Sequence, residues 1–194
     1  MKKSVMISRI EQNLEESCRV KQRFSDELKG QIGELASKVT KALRAGKTVY
    51  WMGNGGSAAD AQHLAAELVG KLRKPRRAFS SIALTTNSST LTAVANDMAF
   101  NEIFSRQVEA SIRAGDIVIG ISTSGNSANV IRAVQTARKQ KALTAGWTGQ
   151  SGGKLAKAAD LCLRVPSQDT QRIQEAHITM GHILCGLVED MLSD

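Results

Sequence analysis

Three histidines, a glutamate and a glutamine lie at helical spacings in two segments of this sequence. They are His63, Glu67, Gln174, His177 and His182. His63 and Glu67 are four residues apart and would share one face of a helix. On a helix of 3.6 residues per turn, His182 lies about 80° from Gln174, and His177 about 60° away on the other side, so spacing leaves both histidines open. Imidazole, carboxylate and, more weakly, amide oxygen can bind zinc, and His and Glu are also the usual general acids and bases.

Two turns rich in glycine and serine could bind an anion. Gly-Asn-Gly-Gly-Ser occupies 53–57, and Ser-Thr-Ser-Gly-Asn-Ser occupies 122–127. Glycines let backbone N–H groups approach an anion, and the N-terminus of a following helix favours negative charge. Helix capping, for which Ser and Asn are preferred, is the alternative for either turn alone. The four hydroxyls of the second turn favour phosphate, whereas the absence of a Walker A or GxGxxG pattern argues against a nucleoside triphosphate or NAD. These hydroxyls belong to Ser122, Thr123, Ser124 and Ser127.

The elements that must position these residues alternate along the chain. Apolar runs predict strands at 48–52, 79–84, 116–121, 143–147 and 161–165. Helical spacing predicts helices at 7–44, interrupted at Gly30, and at 58–72, 91–112, 128–139, 153–159 and 170–192. This alternation predicts an α/β fold in which a parallel sheet carries helices on both faces and binds ligands at the carboxyl ends of its strands. No linker divides the 194 residues, so we expect one domain.

Charge and composition narrow the function classes. Lys and Arg number 26 and Asp and Glu 18, a net charge of +8, but five of the positive charges lie within 71–77. We interpret that basic segment as a solvated helix end and loop, with a surface for an anionic partner as the alternative. Base-stacking aromatics do not accompany it, so nucleic acid is not expected as a partner.

Cysteine usage and hydropathy indicate the compartment. The three cysteines are scattered without a CxxC pair, as expected in a reducing environment. The N-terminus turns charged before an apolar signal-peptide core forms, and no stretch approaches the roughly 20 apolar residues of a membrane span. We therefore expect a cytoplasmic protein with no membrane partner.

Four segments, in order and spread over the chain, carry a resemblance to a known family. They are GNGGSAADAQHLAAELVG at 53–70, ALTTNSSTLTAVANDMAF at 83–100, GDIVIGISTSGNSANVIRA at 115–133 and TQRIQEAHITMGHILCGLVE at 170–189. Together they resemble the phosphoheptose isomerases, which are sugar isomerase (SIS) domain enzymes.

The resemblance implies a fold and an assembly. We expect a five-stranded parallel sheet in flavodoxin-like order between helices, preceded by an N-terminal helical segment. Residues 1–46 would serve oligomer packing, and residues 47–194 would form the α/β core and the C-terminal helix. The family implies a homotetramer with active sites at subunit interfaces.

The resemblance also implies a reaction and the residues that carry it. The expected activity is an aldose–ketose isomerisation, from sedoheptulose 7-phosphate to D-glycero-D-manno-heptose 7-phosphate, on the way to nucleotide-activated heptose for lipopolysaccharide. Glu67 would be the base and His182 the acid/base partner, and one zinc per subunit would be bound by His63, Glu67, Gln174 and His182. The substrate would contact Glu67, Gln174 and the serine-rich turn, together with Asn54, Gly55, Gly56, Ser57, Asn96 and Asp97.

Two other functions are compatible with this fold. A non-enzymatic SIS-domain adaptor that binds the bacterial replication initiator lacks the carboxylate at the position of Glu67 and the imidazole of the last helix, and carries Arg in the serine turn. This sequence has Glu67, His182 and Ser124 there, which favours the enzyme. A sugar-phosphate-sensing regulator would need a DNA-binding domain, for which the residues before the first strand leave too little room.

Overall fold

Helices and strands alternate after two N-terminal helices in the computed structural model, which describes residues 3–193. The helices are α1 (Lys3–Gln22), α2 (Asp26–Arg44), α3 (Gly56–Val69), α4 (Ser88–Asp97), α5 (Ser105–Ser111), α6 (Ala128–Lys139), α7 (Leu155–Ala158) and α8 (Thr170–Leu192), with a 3-10 turn at Phe100–Glu102. The strands are β1 (Val49–Gly53), β2 (Ser81–Ala83), β3 (Ile117–Ile121), β4 (Leu143–Thr148) and β5 (Leu161–Arg164). Residues 1, 2 and 194 of the predicted domain lie outside this range.

The five strands form one parallel sheet in the order β2-β1-β3-β4-β5. The α/β fold class and the flavodoxin-like order expected from the sequence are confirmed. All five residues of β1 and of β3 are buried, as befits central strands covered by helices on both faces. Because the chain order reverses between β1 and β3, the segments that follow these strands flank a crevice at the carboxyl edge of the sheet.

Alternate strand residues enter two different hydrophobic clusters. Val49 and Trp51 of β1 pack with α2, α3 and α8 on one face of the sheet. Tyr50 and Met52 pack with α5, α6 and α7 on the other. This alternation follows from the two-residue period of a strand, and it leaves α3 and α8 side by side on the same face.

The N-terminal helices differ from the prediction in where they break. The chain turns between α1 and α2 because Ser25 caps α2, accepting a hydrogen bond from the Leu28 N–H at 3.2 Å, with Asp26 in the first helical turn. The predicted break at Gly30 is wrong, since that glycine lies inside α2. Helix α2 packs into the chain's own core, whereas α1 buries only Val20.

None of the helices within residues 3–193 is long and apolar enough to cross a membrane.

Candidate active site

The glycine turn joins β1 to α3 so tightly that side chains are excluded from parts of it. A Cβ at Gly53 would lie 2.7 Å from the Ser57 Cβ, and Gly55 has a φ of +55°. The Ser57 N–H donates to the Asn54 carbonyl at 3.0 Å, which starts α3, and the Ser57 side chain is buried. The turn thereby brings backbone N–H groups and the α3 N-terminus to the carboxyl edge of the sheet.

The serine turn begins directly after β3, beside the glycine turn. The Ser122 and Ser127 hydroxyls lie 2.9 Å apart, and the Ser124 hydroxyl accepts from the Asn126 N–H at 3.1 Å. Ser127 makes no side-chain cap to α6, so the capping alternative does not account for its hydroxyl. Thr123 contributes its carbonyl, which accepts from the Gly149 N–H at 2.9 Å.

Asn129, a side-chain amide that the sequence analysis did not single out, links the two turns by pairing with Asn54. Asn54 and Asn129 exchange reciprocal side-chain hydrogen bonds of 2.9 and 2.8 Å, and Asn129 is 2 % exposed. The signal available in the sequence was the position of Asn129, two residues after Ser127 and so next to the serine turn. A buried amide at that position needs a hydrogen-bond partner. The pair ties the glycine turn to the first turn of α6, directly after the serine turn.

His63, Glu67 and His182 meet where α3 lies against α8. The His63 Nε2 is 2.9 Å from the His182 Nε2 and 3.0 Å from the Glu67 Oε1, and the three ligand atoms all lie within 4.8 Å of one another. Around a tetrahedral ion bound at ~2.0–2.1 Å, ligand atoms are about 3.4 Å apart, which falls inside this range of separations. The donor set and its spacing fit a divalent metal such as zinc.

Gln174 and His177 lie one turn apart on α8 but in different surroundings. A Cβ at Gly56 would overlap the Gln174 amide, which places that amide against the glycine turn. His177 is fully buried, and its Nε2–H donates to the Thr148 carbonyl at 3.2 Å. Burial lowers the pKa of His177 to about 4, although the Thr148 hydrogen bond opposes this. Of the two histidines that spacing left open, His182 is the one beside His63.

The predicted residues Asn96 and Asp97 lie at the end of α4, which follows β2. The Asn96 amide donates to the Asp97 carboxylate at 2.8 Å, and both side chains are exposed. The strand that precedes α4, β2, pairs with β1, which leads into the glycine turn.

Asp60 is a buried carboxyl that the sequence analysis missed. It lies one turn before His63 on α3, is 9 % exposed, and its Oδ2 has no hydrogen-bond partner among the described residues. Burial raises the pKa of Asp60 to about 6, and the charge of His63 acts in the opposite direction. Its position three residues before His63, on the same helix face, was the available signal.

Most of the basic segment 71–77 is an exposed loop, in line with the interpretation from the sequence, and Arg76 is the exception. The Arg76 side chain is 5 % exposed and pairs with the Glu189 carboxylate at 3.0 Å. Sequence alone gave no sign of this pair, because its members are more than a hundred residues apart.

A glycine turn and a serine turn at one edge of a parallel sheet, with a His–Glu–His group on α3 and α8, define an α/β protein with a candidate ligand site, and sequence comparison gives the family. The model of the SIS domain family matches residues 12–149. The phosphoheptose isomerase of Rhodospirillum rubrum is 58% identical over 161 residues, covering 83% of this chain and 86% of that protein. The phosphoheptose isomerase of Aquifex aeolicus is 51% identical over 189 residues, covering 97% and 99%.

Solved structures agree with the sequence comparison. The phosphoheptose isomerase of Neisseria gonorrhoeae superposes with a TM-score of 0.90 at 41% identity, covering 95% of this chain and 99% of that one. The one from Francisella tularensis gives 0.91 at 34% identity, covering 95% and 98%. The chain belongs to the phosphoheptose isomerase family of SIS-domain proteins.

Proposed function

We propose that this protein converts sedoheptulose 7-phosphate to D-glycero-D-manno-heptose 7-phosphate through an enediol, the first step of nucleotide-activated heptose biosynthesis. The observation that carries the proposal is the His63–Glu67–His182 group where α3 lies against α8, in a chain whose relatives are named phosphoheptose isomerases. Phosphate would bind at the serine turn, and the sugar would lie across the glycine turn toward α8.

The reaction moves a carbonyl from C2 to C1. It requires one proton to move from C1 to C2 and one hydroxyl proton to move from O1 to O2. Glu67 removes the proton from C1, which gives the enediol, and returns a proton to C2. His182 moves the hydroxyl proton between O1 and O2. The Glu67 side chain is 20% exposed, so it is open to a ligand while largely shielded from bulk water. Asn96 and Asp97 contact the sugar from the end of α4.

One zinc per subunit is the proposed cofactor, with His63, Glu67, His182 and Gln174 as its ligands. A zinc ion held by these residues would supply Lewis-acid polarisation of the carbonyl oxygen and would stabilise negative charge on it. The separations among His63, Glu67 and His182 support this set. Elemental analysis of His182→Ala against His177→Ala tests it, since only the first variant should lose metal. Equal metal content in wild type and His182→Ala would remove His182 from the site.

The proposed assembly is a homotetramer with active sites at subunit interfaces, and the proposed location is the cytoplasm. Apolar side chains on α1 support the assembly, because a helix that exposes them needs a partner surface. They are Val5, Met6, Ile7, Ile10 and Leu14, each between 41% and 63% exposed. Two further exposed apolar side chains, Met98 and Phe100 just after α4, support the assembly in the same way, at 55% and 59% exposed.

Incubation of the protein with sedoheptulose 7-phosphate, followed by NMR, tests the function. We expect an aldose signal to grow, to weaken on chelation and to return with added zinc, and we expect no product from sedoheptulose without its phosphate. No aldose at any metal concentration would overturn the proposal and favour the adaptor function, for which binding to the replication initiator is the corresponding assay.

A further inference from the structure

A buried ion pair joins the two helices that form the His–Glu–His group. The Arg76 Nε donates to the Glu189 Oε1 at 3.0 Å, with the side chains 5% and 1% exposed. Arg76 lies in the loop after α3, and Glu189 lies on α8, seven residues after His182 and thus two turns along the same face. Charged groups are rarely buried to this degree unless they are paired and hydrogen-bonded.

The guanidinium of Arg76 caps the C-terminal end of α3. Its Nη2 donates to the Glu67 carbonyl at 2.7 Å, and its Nη1 donates to the Leu68 and Gly70 carbonyls, both at 3.0 Å. The last four carbonyls of a helix have no intrahelical partner, and a cation there also complements the helix dipole. The backbone that presents Glu67 is therefore held by the Arg76 fork.

The carboxylate of Glu189 organises the other side of the same contact. It accepts from the backbone N–H groups of Leu72, Arg73 and Lys74 at 3.1, 2.8 and 3.1 Å. Burial alone would raise the pKa of Glu189, but these N–H groups and Arg76 lower it, so the group is anionic. These hydrogen bonds hold the loop after α3 against the Glu189 side chain of α8.

The geometry points to Arg76 and Glu189 as positioning residues that set Glu67 on α3 against His182 on α8. This inference rests on the proposed function of the site, because it states how the proposed base and its partner are kept in register. The two residues do not touch the reacting atoms. They fix the backbone of Glu67 from one side and the helix of His182 from the other.

The competing account is that the pair only stabilises the fold. A buried ion pair is by itself weak support for a stabilising role, since desolvation can cancel its attraction. The two accounts make different predictions for variants that lose the same free energy of unfolding. A positioning pair affects metal affinity and turnover when its geometry is changed, whereas a stabilising pair affects only unfolding.

The test compares Arg76→Lys and Glu189→Gln with Val134→Ala in the full-length protein. Val134→Ala is the control because Val134 is buried in α6 on the opposite face of the sheet. Zinc affinity is measured by competition with a chromophoric chelator, kcat and KM with sedoheptulose 7-phosphate, and stability by urea unfolding. Lysine keeps the charge of Arg76 but loses its fork, and glutamine keeps the shape of Glu189 but loses its charge.

We expect Arg76→Lys to weaken zinc binding by about 10-fold or more, as do losses of groups that orient metal ligands. We expect kcat to fall with KM within about twofold of wild type, while Val134→Ala leaves zinc affinity and kcat unchanged at a similar loss of stability. Unchanged zinc affinity and kcat in Arg76→Lys would overturn the inference. If Arg76→Lys does not fold, Glu189→Gln carries the same comparison. A wild type that binds zinc without isomerising the sugar would overturn the proposed function alone, because the zinc affinities still test the pair.

Discussion

His177 and His182 lie five residues apart on α8, yet burial gives them different chemistry. His182 lies against His63, while His177 is sealed between α8 and β4 and faces Trp147. A fully buried imidazole is neutral near physiological pH because desolvation disfavours the charged form. Only the residue at the surface of the crevice can bind a metal or exchange a proton with a ligand.

Burial of His177 predicts a pH dependence of stability. Its pKa is lowered to about 4 in the folded protein from 6.5, so on acidification the unfolded chain binds the proton first. This contribution to stability is complete above pH 6.5 and is lost as the pH falls toward 4. Urea unfolding should show a loss of about 2 kcal/mol from His177 between about pH 7.5 and pH 5.

His177→Gln provides the comparison, because an amide can still donate to the Thr148 carbonyl but does not titrate. The stability of that variant should fall less steeply with acidification than that of wild type. Parallel curves for the two proteins would mean that folding does not lower the pKa of His177.

Ser124 tests the phosphate role of the serine turn. Its oxygen accepts one hydrogen bond, from Asn126, and its proton can be donated to an anion. Ser124→Ala should raise KM for the phosphorylated ketose by roughly 10-fold or more, since a hydrogen bond to a charged group contributes about 1.5–3 kcal/mol. Ser37→Ala, on the exposed face of α2, should leave KM unchanged. Equal binding of phosphorylated and phosphate-free sugar by wild type would contradict this role.

At the scale of elements, the glycine turn matters because it leaves room for α8. A methyl group at Gly56 would occupy the position of the Gln174 amide, which is the end of a flexible side chain and can move away. Gly56→Ala should therefore change stability by less than about 1 kcal/mol and still lower zinc affinity by about 10-fold. Gly33→Ala in α2 meets open space and should leave zinc affinity as it is. Unaltered zinc affinity in Gly56→Ala would mean that Gln174 is not a ligand.

The elements themselves could largely be predicted from the sequence. The predicted helices at 128–139 and 170–192 match α6 and α8, and the strands agree within a few residues, because amphipathic spacing and buried apolar runs are local signals. The sequence pattern predicts the break between the two N-terminal helices at Gly30, whereas the chain turns before α2, where the Ser25 side chain caps that helix. A glycine inside a helical pattern lowers helix stability but does not by itself end the helix.

The sequence indicates which residues could form the site, but it predicts only part of their arrangement in space. Spacing placed His63 and Glu67 on one face, but the choice between His177 and His182 depended on how α8 packs against α3 and β4. The Asn54–Asn129 and Arg76–Glu189 contacts join residues far apart in sequence. Such contacts follow from tertiary packing, which no local pattern encodes.

At the scale of the whole molecule, α1 is a long helix that this chain leaves largely uncovered, since only Val20 of its described residues is buried. Ile10, in the middle of α1, is 59% exposed beside Leu14 at 63%. In the proposed tetramer these side chains pack between subunits, so Ile10→Glu should shift the protein to smaller species in sedimentation and lower its activity. Ser8→Glu adds the same charge on the opposite face of α1 and should leave the tetramer intact. A wild-type monomer, or an Ile10→Glu tetramer, would contradict this packing.

The central claim is that Glu67 moves a proton between C1 and C2 of a phosphorylated ketose. The most direct measurement is conversion of sedoheptulose 7-phosphate in D₂O, followed by NMR for wild type and Glu67→Gln. Wild type should form aldose that carries deuterium at C2, and Glu67→Gln, which keeps the shape of the side chain but removes the base, should convert the ketose at least ~100-fold more slowly with its oligomeric state unchanged. A Glu67→Gln variant that retains more than half of the wild-type rate would contradict the claim.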